Sequence, residues 1–155
     1  MFEELLIEAE LAEIEVTSHS FKNPKLKGLY IDGVITLNTS SIQTIVEKQC
    51  ILAEEIGHHH RSFGIILDQK SIVHIKQELL GKKWAYQRLV PLNAFVSAFK
   101  AGIRNRFEFA EYIGVTEHFL DKAVTFYLER YGLSHRFNHD YIICFDPLGV
   151  IMMFE

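Results

Sequence analysis

The run ILAEEIGHHH, residues 51–60, places two glutamates before three consecutive histidines. Ile42, Ile45, Val46, Cys50, Leu52, Ala53 and Ile56 recur at helical spacing through about Gly57, so the histidines are read as the end of a long helix with one apolar face. Thr39, Ser40 and Ser41 offer hydroxyls for capping its start. Four residues make roughly one helical turn, which points Glu54 and His58 the same way, with Glu55 next to both. In the HExxH pattern the two histidines hold a metal and the glutamate between them is the general base. Glu54-Glu55-Ile56-Gly57-His58 fills every place of that pattern but the first, where a carboxylate replaces an imidazole; a carboxylate still ligates zinc at about 2.0–2.2 Å.

A catalytic metal site needs a third protein ligand and one open position. Glu78 supplies it best, on a second helical stretch running from Ser71 to Leu89 and stopped by Pro91. His74, one turn earlier, competes. The set Glu54, His58 and Glu78 is richer in oxygen than a two-histidine site, which admits Mn2+ or Fe2+ beside Zn2+. A plainer reading has the histidines as a solvated helix end complementing the helix dipole, and Glu78 as the i,i+4 partner of Lys82. His59, His60, His74, Tyr86 and Arg88 are all open candidates for donating to a developing oxyanion.

Upstream of the run, KGLYIDGVITLN (27–38) is two β-prone segments split by Asp32-Gly33, a dipeptide suited to a two-residue hairpin turn. Its strand Val34 to Asn38 is expected to offer an open edge to an extended peptide. Residues 2 to 14 read as a helix, followed by a short strand before Phe21. Downstream of Pro91, helices are expected over Pro91–Ala101, Arg106–Ile113 and Thr116–Tyr131, stopped at Gly102, Gly114 and Gly132. Tyr141–Phe145 and Val150–Phe154 follow as a terminal hairpin. The weakest seam lies near Lys100–Asn105, which suggests a core over residues 1–100 and a C-terminal helical region over 101–155 packed on it. These elements make an α+β fold, with helices on a short N-terminal sheet.

Composition narrows the function classes. The 155 residues are 48% apolar with twelve phenylalanines, enough for a core, and the net charge of −4 advertises no polyanion partner. Cys50 and Cys144 stand in apolar runs with no CxxC pairing, which suits a reducing cytoplasm. The acidic N-terminus has no signal-peptide pattern, and no apolar run of about 18 residues is present, so membrane association is not expected. In FEFAEYIGVTEHFLDKAV (107–124), Ala110, Gly114 and Leu120 fit helix-turn-helix spacing. The second helix nevertheless carries Glu117, Asp121 and Glu129 against Lys122 and Arg130, so direct DNA binding is not expected.

Together CILAEEIGHHH, KGLYIDGVITLN, KQELLGKKWAYQRLVP (76–91) and FAEYIGVTEHFL (109–120) resemble the phage and prophage type of the ImmA/IrrE metallo-endopeptidases, over nearly the whole chain. The resemblance implies a small zincin-like domain that cleaves a helix-turn-helix repressor encoded beside it. It carries the metal pair to Glu54 and His58, the general base to Glu55 and the third ligand to Glu78, with zinc as the ion. Two positions depart from the family: its first histidine is Glu54, and its usual Glu-Ala pair is Leu80-Gly81. The alternative the departures raise is a catalytically inactive member of the fold that binds a repressor or a toxin partner.

Overall fold

The computed structural model describes residues 1–61 and 72–154, the side chains of 72–75 and of Gln77 excepted. Among the described residues it is a mixed α+β structure of six helices and two three-stranded sheets. The chain divides into two compact units, Met1–Ala85 and Tyr86–Glu155.

The first unit begins with α1 (Phe2–Leu11), β1 (Glu15–His19), β2 (Gly28–Ile31), β3 (Val34–Asn38) and α2 (Ile45–Arg61), and ends within α3 (Ile72–Leu89). Asp32 and Gly33 both take positive φ, 47° and 79°, as the tight β2–β3 turn requires. The sheet order is β1-β3-β2, with β1 parallel and β2 antiparallel to β3. The expectation of an open edge on Val34–Asn38 is therefore corrected: β3 is the central strand, paired on both sides, and the edges belong to β1 and β2. The hairpin alone would have left β3 open, but Glu15–His19 returns beside it in register from Glu15↔Val34 to His19↔Asn38.

Alternation along β3 buries Ile35 and Leu37, and the core they join also holds Leu5 and Ala9 of α1, which packs on α2, and Leu52, Ala53 and Ile56 of α2, which packs on β3, all at most 1% exposed. Each large aliphatic side chain buried there contributes roughly 1.5–3 kcal/mol. Asn38 is buried too, and all its side-chain groups are engaged. Its Oδ1 accepts from the Phe21 and Ser40 amides and the Ser40 hydroxyl, and its Nδ2 donates to the carbonyls of Leu26 and Asn23. Asn38 thereby fixes the loop that delivers β2.

Helix α2 starts later than expected and runs further. Thr44, not Thr39, Ser40 or Ser41, accepts from the Glu47 amide at 3.1 Å, and the helix passes through Gly57 to Arg61, so all three histidines are helical. Ser40 instead bonds the Phe21 carbonyl across the strand connection.

The second unit contains α4 (Leu92–Lys100), α5 (Arg106–Ile113), α6 (Glu117–Tyr131) and the antiparallel sheet β4 (Ser134–Arg136), β5 (Tyr141–Phe145), β6 (Leu148–Met152), in the order β4-β5-β6. Strand β4 was not expected from the sequence, and β6 begins and ends two residues earlier than expected. Gly114 closes α5 at φ 76°, and the Thr116 hydroxyl caps α6 by accepting from the Phe119 amide at 3.0 Å. Phe95, Phe109, Tyr127 and Phe145 pack edge to face around Phe95 as the unit's aromatic core. The Tyr127 hydroxyl donates to the Val90 carbonyl at 2.7 Å. Cys50 and Cys144 are free thiols, and no described helix is long and apolar enough to cross a membrane.

Candidate metal centre

Strand β2 and helix α2 lie against each other with matching repeats. Two residues of strand advance about 6.7 Å and four residues of helix about 6 Å, so alternate β2 positions meet successive α2 turns. Gly28 faces Ile51 and Glu55: a Cβ placed on it would lie 2.7 Å from Ile51 Cγ2 and 3.0 Å from Glu55 Oε1. Two residues on, the Tyr30 hydroxyl is 2.7 Å from His59 Nδ1. Only glycine at residue 28 lets the strand approach this closely.

The other side of α2 approaches α3 through a second glycine pair. A Cβ on Gly57 would stand 2.2 Å from the Gly81 carbonyl oxygen, and a Cβ on Gly81 would stand 2.8 Å from His58 Nδ1. The helices are thus in backbone contact, with the His58 ring lying over Gly81. The Leu80-Gly81 departure acquires a structural reason here, since any side chain at 81 would displace the ring. With the helices this close, His58 Nε2 comes to 3.7 Å from Glu78 Oε1. Residues 54, 55, 58 and 78 thus stand on two touching helices, His58 mostly buried and Glu78 about half exposed.

Electrostatics bind the remaining carboxylates into the same group. Burial raises the Glu54 carboxyl to about 7, with Lys82 opposing the rise and Glu78 adding to it. Burial first, and then the charges of Glu54 and Glu78, together raise Glu55 to about 8. Beyond the acids, His60 is lowered by burial and by His59, and its ring sits 5.0 Å from Trp84.

Among the described residues no three His, Cys, Asp or Glu side chains are drawn together as a formed metal site. The donor set nevertheless fits a divalent cation in chemistry. Two buried acids, Glu54 and Glu55, whose charge burial and Glu78 disfavour, beside a mostly buried imidazole, are what a doubly positive ion would neutralise. The glycine at 81 is the cradle that admits the imidazole. Glu54, His58 and Glu78 would hold such an ion, and Glu55, packed against Gly28, is the acid directed toward the sheet.

The side chain of His74 lies outside the described residues. Tyr86 belongs to the second unit, where it packs against Phe119 and Phe126, and Arg88 belongs there also. Tyr30 was not singled out from the sequence. Its signal was present in the alternation of Gly28 and Tyr30 along one strand, which must share a face. No family model matches the chain, and no curated protein or solved structure matches it.

Proposed function

We propose that the chain is a metal-dependent endopeptidase of the ImmA/IrrE type, with a zincin-like first unit, working in the cytoplasm on a helix-turn-helix repressor of a phage or mobile element. The observation that carries this reading is the double glycine contact of α2, which brings His58 within 3.7 Å of Glu78 while Glu55 lies against β2. The sequence resemblance supplies the substrate class.

A zinc ion held by Glu54, His58 and Glu78, with manganese or iron as substitutes, would supply Lewis-acid polarisation of the scissile carbonyl and acidification of a water at its open position. The chain's own residues do the rest. An extended substrate adds to the open edge of β2, whose backbone groups fix its register beside Glu55. Glu55 Oε1 takes the proton from the attacking water and returns it to the leaving amide nitrogen. The Tyr30 hydroxyl, held 2.7 Å from His59 Nδ1, is a candidate donor to the developing oxyanion.

The same fold without hydrolysis, sequestering a repressor or a toxin partner, is the second reading, and the carboxylate at 54 in place of an imidazole favours it. Incubating the full chain, loaded with Zn2+ or Mn2+, with the repressor encoded beside it distinguishes the two. Defined cleavage is expected, lost in Glu55→Gln while bound metal is retained. An intact repressor in stable complex with the metal-loaded protein would establish the second reading.

A further inference from the structure

The second unit holds a cavity of about 350 Å3 that the metal centre does not use. Phe95, Ala98 and Phe109 form its apolar floor, each no more than 4% exposed, and the two phenyl rings meet edge to face at 5.1 Å. Val150 lines it from β6. A Cβ on the neighbouring Gly149 would meet nothing within 4 Å, so that flank is open space.

Arg104 also lines the cavity, and it is held in place. Its Nη1 donates to the carbonyls of Phe99 at 3.0 Å and Ile103 at 2.9 Å, and its guanidinium lies 4.6 Å from the centre of the Phe99 ring. Among the described residues no carboxylate pairs with it, whereas Arg106 at the same rim has Asp121 at 2.6 Å. Exposed arginines are usually mobile, because one surface contact seldom offsets their rotamer entropy. Three contacts that fix this one leave an uncompensated, pre-positioned cation beside an apolar chamber of small-ligand size.

We propose that this cavity binds a small organic carboxylate, its apolar body against Phe95 and Phe109 and its carboxylate on Nε and Nη2 of Arg104. The floor of Phe95 and Phe109 suits an arylalkyl body, whose ring can pack on theirs. The pre-fixed guanidinium makes the anion's hydrogen bonds without further ordering cost.

The test is titration of the 15N-labelled full chain with 4-phenylbutyrate and, separately, with neutral 4-phenylbutan-1-ol. Saturable shifts are expected at the amides of residues 95–109 and 148–150, with the acid bound at least about tenfold more tightly than the alcohol. Arg104→Met, on an exposed side chain, should level the two ligands, and Val150→Trp should block both. Should Val150→Trp fail to fold, Arg104→Met carries the test alone. Equal binding of acid and alcohol by the unmodified chain, or a preference that survives Arg104→Met, overturns the anion assignment. Shifts confined to other residues, or none up to about 1 mM, overturn the cavity assignment.

Discussion

Asn38 shows how much one buried polar side chain can specify. Its amide group satisfies two backbone N–H groups and two carbonyls from the 21–27 loop and from Ser40. Asn38→Asp keeps the shape but replaces the Nδ2 donor with an acceptor facing the Leu26 and Asn23 carbonyls. A loss of about 2–4 kcal/mol is expected in urea denaturation, with the slope unchanged. A loss under about 0.5 kcal/mol would mean that the loop is fixed by other contacts. A milder effect belongs to Glu47, whose carboxyl is held below its ordinary range by a hydrogen bond from Lys27. A depressed acid adds stability above its unfolded pKa and gives it up as pH falls through the folded one, so the acid limb should steepen there. Lys27→Met is expected to lower stability near pH 7 by a few tenths of a kcal/mol and to leave it unchanged at the acid end, which flattens that limb by the same amount, checked by thermal melts across pH 2 to 7 at roughly constant ionic strength. At this scale the placement of Glu54, Glu55 and His58 on one helix was legible, because it follows from an i,i+4 rule. Tyr30 was legible only as a residue sharing a strand face with Gly28, since its pairing with His59 comes from a β2–α2 register that no local pattern encodes.

At the scale of elements, two glycines decide where α2 meets α3. Glycine inside a helix costs about 1 kcal/mol relative to alanine, so Gly57 is retained against propensity. The 2.2 Å that a Cβ at 57 would leave to the Gly81 carbonyl explains why, the obstacle being backbone. Gly57→Ala should therefore destabilise by at least about 2 kcal/mol in spite of alanine's better propensity. The same substitution should weaken metal binding, because it parts the helices that carry His58 and Glu78. Guanidinium denaturation with parallel zinc calorimetry reads both; a stabilised Gly57→Ala protein would show that the helices are not in contact. Elements with strong local signals were read correctly from the sequence, among them the Asp32-Gly33 hairpin and the Gly114 stop of α5. The strand order was not, because the parallel β1–β3 pairing joins segments that only the finished sheet brings together. Strand β4 has three residues, too few for any alternation to stand out.

For the molecule as a whole, the acids of the first unit set a balance that a proton or a bound cation can shift. Buried carboxyls raised to about 7 and about 8 oppose folding when ionised, and Lys82 opposes the rise only at Glu54. The excess of acids over bases in the sequence is small, so this concentration is local rather than a property of the composition. A cation that binds the folded chain and not the unfolded one must then raise its stability by mass action. With free Zn2+ or Mn2+ at one hundred times its dissociation constant, the gain is about 2.7 kcal/mol, or a Tm rise of roughly 5–10 °C for a chain of this size. The rise should vanish with a chelator, shrink in Glu54→Gln and in Glu78→Gln, and persist in Glu55→Gln, which separates ligands from base before any substrate is added. A Tm indifferent to both ions, or one that rises equally in all three variants, would place the cation elsewhere and leave α2 a charged helix with no metal.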